Sequence, residues 1–382
     1  MFRLILIGFP LLVFLILEIL FVFPVCRANG FGPRAQAIWT AALLLACSRS
    51  VCYEALGGDP FNPNFPLAVV WTWNWLFSAA LILVVLAVVL FFVPAKVRLY
   101  LLPALALALS GWGFWNGVRI PKVHEVEVAC PGLPRSLDGY RIVQLADIHA
   151  SSAAPRWRTE AIVARANAAD ADLAVCTGDV VDGKTGWRRA DVEPLKGLRA
   201  KDGVWFVAGN HEFYGDWNGW LRLYDEWGIR FLRGACVFPR AGLALGGVDD
   251  EAVNWQSARR GETPSPDEYP SVGVGGAFAS ATNGEFRVLL QHRPGRFREN
   301  LASHGVGLQL SGHTHGGVSP VLNRLVARAN AGFVRGLYPC ETDGEPVRKG
   351  SLYVSPGCGQ WAGFPIRFFD ESEIPVITLR AF

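Results

Sequence analysis

Four apolar runs fill the chain before about residue 118, and Asp, Glu, Arg and Gly become frequent only after it. Residues 4–25 are almost wholly apolar, and at about 1.5 Å per residue such a helix crosses a hydrocarbon core of roughly 30 Å. The run is too long for a signal-peptide core and no clean small-x-small cleavage pattern follows, so it reads as a retained anchor. Residues 67–93 form the clearest span, entered through Trp71, Trp73 and Trp75, whose flat amphipathic rings suit headgroup depth. Residues 99–118 give a further span with Trp112 and Trp115 near its exit, and residues 35–51 a fourth, interrupted at its end by Ser48, Arg49 and Ser50. Glu18 lies inside the first run; an intramembrane carboxylate is a functional flag by default, its ordinary alternative being a neutral group facing a neighbouring helix.

The short Pro94–Arg98 connection makes the last two spans an antiparallel hairpin, and four spans return the chain to the side on which it started. Arg27, Arg34, Lys96 and Arg98 face one side, Arg3, Arg49, Arg119 and Lys122 the other. Short loops weigh most in the positive-inside rule, so the balance leans towards an extracytoplasmic C-terminal domain. The expected division is a membrane domain over residues 1–120 and a soluble domain over 121–382. A formal net charge of +3 with no long Lys/Arg run makes nucleic acid a poor partner. The 8 cysteines are scattered without a CxxC pair, so no cysteine metal site is expected.

From about Val123 the pattern becomes short β-rich runs ending in polar or Gly-containing turns. Residues 141–146, 173–177, 204–208, 243–248, 286–291, 307–310, 352–355 and 375–380 read as buried strands. Residues 158–169 and 217–227 read as amphipathic helices. The alternation predicts α/β layers around a central sheet. Residues 254–284, rich in Gly, Ser, Pro and Ala without periodicity, read as a surface loop or lid.

Several of these strands run straight into ligand-type residues. They give Asp147-Ile148-His149, Gly178-Asp179-Val180-Val181-Asp182, Gly209-Asn210-His211-Glu212, Gln291-His292 and Gly312-His313-Thr314-His315. Of 7 histidines only His124 and His304 lie elsewhere. A lone Asp after a strand is usually a cap or turn residue, and a lone His is usually a satisfied core or surface group. That reading would have to hold at every one of these strand ends, where sites form in open α/β sheets. Asp, Asn and His without Cys suit Mn²⁺, Fe²⁺, Zn²⁺ or Co²⁺, and the donors outnumber the needs of one ion. Two ions sharing a bridging carboxylate would use them all.

In this order the motifs resemble the calcineurin-like metallophosphoesterase family. The run Tyr353-Val-Ser-Pro-Gly, the later Pro365-Ile-Arg-Phe and Gly312-His-Thr-His-Gly-Gly resemble its membrane-anchored bacterial branch, which implies an integral protein of a bacterial inner membrane. The resemblance implies a layered α/β/β/α domain behind the transmembrane helices. It implies that Asp147, His149 and His315 hold one divalent ion, that Asn210, His292 and His313 hold the other, and that Asp179 bridges them. It further implies that His211, oriented by Asp182, assists the leaving group while a hydroxide held between the ions attacks. Glu212 reads as an orienter rather than a ligand.

The expected reaction is hydrolysis of a phosphodiester or pyrophosphate bond. The substrate is expected to be lipid-linked or membrane-proximal, because few residues separate Val118 from the strand starting at Arg141. Residues Val318, Val321, Leu322, Leu325 and Val326, with Arg324 and Arg328 interleaved, read either as an interfacial segment beside the bilayer or as an ordinary core helix. A phosphomonoesterase or protein phosphatase at the membrane, or a regulatory domain on a membrane sensor, is the alternative. Protein phosphatases of the family resemble a Gly-Asp-x-x-Asp motif extended by Arg-Gly, whereas Gly183 and Lys184 follow Asp182 here.

Overall fold

The structure is a computed structural model that describes residues 2–253, 273–317, 319, 322–343, 347–361, 363–369 and 371–382. It divides into two compact units, Met1–Arg119 with Trp361–Phe368, and Ile120–Gln360 with Phe369–Phe382.

In the first unit α1 (Phe2–Leu17) runs through a π-helical turn, Glu18–Val22, into α2 (Phe23–Ala28). Then follow α3 (Pro33–Cys47), α4 (Arg49–Gly57), α5 (Leu67–Val89) and α6 (Ala95–Val118). Among the described residues, Gly8–Ala28, Leu67–Val89 and Ala95–Val118 are long and apolar enough to cross a membrane. Where a fourth span is expected over residues 35–51, the chain forms a pair of helices, Pro33–Cys47 and Arg49–Gly57, bent by 57°, which together are long and apolar enough for a further, broken span. The break falls at Ser48, where the Arg49 guanidinium donates to Asn74 Oδ1 at 2.9 Å and lies 4.5 Å from the centroid of the Phe77 ring. A continuous apolar helix has no such obligation to a buried charge. α5 stops at Val89 rather than 93, and α6 begins at Ala95 rather than 99. Pro94 stands immediately before α6 and disfavours helix in the residue before it, which keeps the two helices apart.

Residues 361–368 are outside any single cut near residue 120. They pack with the helices: Arg367 N–H donates to the Gly113 carbonyl at 2.9 Å, and Trp361 lies 5.5 Å from Phe61 between ring centroids. A Cβ at Gly113 would stand 2.8 Å from the Phe368 ring, so that approach requires glycine.

The second unit holds two six-stranded sheets. The strands are β1 (Lys122–Cys130), β2 (Arg141–Leu145), β3 (Leu173–Cys176), β4 (Val204–Phe206), β5 (Arg230–Phe231), β6 (Ala235–Arg240), β7 (Leu243–Gly247), β8 (Phe286–Leu290), β9 (Leu308–Ser311), β10 (Gly336–Glu341), β11 (Lys349–Val354) and β12 (Glu373–Ala381). One sheet has the order β1-β12-β2-β3-β4-β5, the other β10-β11-β9-β8-β7-β6.

Period-two alternation explains the layers. Ile142, Leu173 and Val175 meet Val288, Leu290, Leu308 and Leu310 in one core between the sheets. Their neighbours Val143, Leu145, Ala174 and Cys176 face α7 (Arg156–Ala168), α8 (Thr185–Val192) and α10 (Trp217–Glu226), which follows the short α9 (Asn210–Tyr214). Leu289 of the other sheet packs under α11 (Val274–Ala277), while Leu352 and Val354 pack under α12 (Phe297–His304). The result is α/β/β/α. Most of the expected loop 254–284 lies outside the described residues, but Val274 and Ala277 within it are helical and buried. The segment after Gly317 ends in α13 (Asn323–Ala329), of which no residue is buried. It is therefore not a core helix; Val318 and Val321 lie outside the described residues.

Candidate metal centre

β2, β3 and β4 run parallel in one sheet, and β7, β8 and β9 run parallel in the other. Their carboxyl ends deliver every sequence-predicted site residue to one place. Asp147, His149 and His315 offer donor atoms within 4.8 Å of one another; so do Asp179, His292 and His313. A third grouping, His149, Asp179 and His211, overlaps both. Asn210 joins through Oδ1, 3.2 Å from His292 Nε2.

Imidazole nitrogens face each other across these clusters. His149 Nε2 lies 3.1 Å from His315 Nε2, and His292 Nε2 lies 3.2 Å from His313 Nδ1. The outer nitrogens of two rings are committed. His292 Nδ1–H donates to the Thr177 carbonyl at 2.8 Å, and His149 Nδ1–H donates to Asp182 Oδ1 at 3.0 Å. Both rings therefore turn Nε2 inward, the arrangement a ligand tautomer needs. Asp182 Oδ1 also takes His211 Nδ1–H at 2.6 Å, so one carboxylate orients two rings.

The backbone is bent to the same end. Among the described residues, eight non-glycine residues have positive φ, and Asp147, His149, Asp179, His313 and His315 are five of them. Each costs on the order of 1–3 kcal/mol, a strain that persists only where the surroundings over-determine it. Neighbouring glycines leave room for the carboxylates: a Cβ at Gly209 would fall 2.3 Å from Asp179 Oδ1, and one at Gly312 would fall 2.3 Å from Asp147 Oδ2. Glu212 is fully buried and fastens the loops, accepting from Gly209 N–H at 2.7 Å, Asp179 N–H at 2.9 Å and Val180 N–H at 2.6 Å. The sequence signal for it was only its place after His211. A further strand end, Asp249-Asp250 after β7, carries no histidine and so no ligand-type signal in the sequence. There Asp250 holds Arg293 through two hydrogen bonds, at 2.7 and 3.2 Å.

The electrostatics show a deficit of positive charge. Burial opposes charging His211 and His292, yet Asp179 and its carboxylate neighbours outweigh it, raising them to about 9 and about 10. Burial, with Asp179 beside it, pushes Glu212 up to about 7. Burial would raise Asp179 and Asp182 as well, but the surrounding imidazoles hold both well below the usual carboxylate range. Carboxylates that draw protons onto buried imidazoles favour positive charge beside them. The donor set of Asp, Asn and His fits borderline-to-hard divalent ions.

A profile of the family "Calcineurin-like phosphoesterase" matches residues 140–317. The chain is 31% identical over 276 residues to an uncharacterized metallophosphoesterase of Helicobacter pylori, covering 72% of this chain and 68% of that one. The chain belongs to the calcineurin-like metallophosphoesterase family. It therefore carries a metal-dependent phosphoesterase domain, of a family that uses divalent ions. A "Transmembrane protein with metallophosphoesterase domain" of Danio rerio is 32% identical over 282 residues, covering 71% of this chain and 60% of the relative. The present chain thus spans less than two thirds of that relative's length. The NAD nucleotidase of Haemophilus influenzae overlays with a TM-score of 0.39 at 17% identity, covering 58% of this chain and 46% of its own.

Proposed function

We propose that this metallophosphoesterase hydrolyses a phosphodiester or pyrophosphate bond in a lipid-linked or membrane-proximal substrate. Asp147, His149 and His315 would hold one divalent ion. Asn210, His292 and His313 would hold the second, with Asp179 shared between them. The observation that carries this assignment is the pair of donor clusters meeting at Asp179. When bound, the ions supply positive charge against the phosphoryl oxygens and lower the pKa of the attacking water.

The remaining work belongs to the chain. His211 would stand outside the ligand set, although it also lies within reach of His149 and Asp179; its Nδ1–H is held by Asp182. With Nδ1–H so held, a protonated His211 can lend the proton on its other ring nitrogen to the departing oxygen. Asp182 keeps the ring in that tautomer. Glu212 spends its carboxylate on backbone amides and fixes the Asp179 and Asn210 loops at once.

The lipid part of the reading rests on α13. It follows the His315 loop, its Leu325 is 65% exposed, and Arg324 and Arg328 flank that side chain. Apolar and basic groups interleaved on an exposed helix suit an anionic bilayer surface. β1 also begins at Lys122, close in sequence to the end of α6 at Val118.

The test is hydrolysis by the detergent-purified protein with Mn²⁺, comparing phospholipid diesters and lipid pyrophosphates in micelles with soluble nucleotides. Higher kcat/KM on the lipid substrates supports the reading. Better hydrolysis of soluble nucleotides removes the lipid part, and activity on monoesters alone removes the diester and pyrophosphate part.

A further inference from the structure

Beside the metal centre lies a cavity of about 220 Å³ whose walls include Asp250, Glu251, Gln291, Arg293, Arg296 and Asn330. Arg293 directly follows His292 and interacts with Tyr214, whose ring stands 5.3 Å from that of His211.

The lining is charged yet internally balanced. The Arg293 guanidinium is clamped by Asp250, and that of Arg296 is shared between Glu299, at 3.1 Å, and Glu251, at 3.4 Å. Gln291 Oε1 is held by Asn300 at 2.7 Å. A second phosphate would meet guanidiniums already neutralised and carboxylates that repel it. An acyl chain would strand these polar groups without water. A hydroxyl both donates and accepts, so it can bond a carboxylate and a guanidinium of this wall together. The volume is below the roughly 300–1,000 Å³ of sites that enclose drug-sized ligands, and so suits a small group rather than a nucleoside.

We propose that this cavity is a subsite for a small hydroxyl-bearing group, of glycerol or single-sugar chemistry, esterified to the substrate phosphate. The inference rests on the diester reading above. It adds a specificity device: Arg293, Arg296 and their carboxylates select the polar substituent.

The experiment uses two diesters with the same leaving group, glyceryl and ethyl p-nitrophenyl phosphate, and the full-length protein in detergent with Mn²⁺. The wild type favours the glyceryl ester in kcat/KM by about tenfold, equivalent to about 1.4 kcal/mol. Arg296→Met removes one wall of donors, and Ala329→Trp fills the cavity from the exposed end of α13. Each brings the glyceryl-to-ethyl ratio towards one, mainly by raising KM for the glyceryl ester. A wild-type ratio near one, or a ratio that survives both substitutions, overturns the subsite while leaving diester hydrolysis standing. If neither diester is cleaved but p-nitrophenyl phosphate is, the diester reading fails and the subsite with it.

Discussion

In the helical unit several buried polar groups bond one another or a backbone carbonyl. Arg49 bonds Asn74, the Tyr53 hydroxyl donates to the Val70 carbonyl at 3.1 Å, and Ser78 donates to the Asn74 carbonyl at 2.7 Å. In the catalytic unit the buried Asp147, Asp179 and Asp182 are crowded with five imidazoles, two buried and three partly exposed, until ring nitrogens face each other at about 3 Å. Five of the second set, and none of the first, sit on left-handed backbone. Buried polarity by itself is therefore a packing solution. A surplus of ligand-type donors, held by strained turns, is a site suited to cations.

The broadest way to break this contrast is to remove the ions. Chelation of the purified protein should abolish phosphoesterase activity, and added Mn²⁺ should restore it; activity that persists in chelator would put the catalytic cluster on the same footing as the Arg49 cluster. Next in size is His211→Gln. It should lower kcat by about 10²–10⁴-fold, the usual range for a positioned acid, while the bound metal measured by elemental analysis stays at the wild-type level. Loss of metal in this variant would make His211 a ligand.

The ligand clusters were legible because each is a short run at the end of an apolar strand, where chain order alone reports proximity to a sheet edge. Asp147 and His149 are two residues apart, and so are His313 and His315. Other features have no such local signature. The docking of residues 361–368 onto Gly113 and Phe61 joins positions far apart in sequence. The bend after Cys47 depends on Arg49 finding Asn74 in another helix. The edge strands β6 and β10 are only partly buried and lack the continuous apolar runs that marked β3 or β8. Glu212 was placed near the centre, but its three backbone partners come from two different loops, which spacing does not reveal.

Glu212→Gln sharpens the catalytic side of the comparison. It keeps the shape but weakens the three amide bonds, and should reduce activity or metal affinity about 10–100-fold, as is typical for groups that orient ligands. A variant indistinguishable from wild type in a Mn²⁺ titration of activity would show that the loops hold without it. The smallest effect belongs to the helical unit. Arg49→Met should leave diester turnover unchanged and lower the stability of the helical unit by about 1 kcal/mol, near the upper part of the range for polar contacts between membrane helices. Thermal unfolding in detergent reads the shift; a large loss of turnover at full folding would give the Arg49 cluster a functional role.

The most direct test of a two-ion centre sharing Asp179 is the metal-to-protein ratio of the full-length protein, measured alongside bis(p-nitrophenyl) phosphate hydrolysis in wild type and Asp179→Asn. The account predicts two ions per chain in the active wild type, and one or fewer in the variant with hydrolysis lost. A wild type fully active with one ion, or a variant that keeps both ions and its activity, would contradict it.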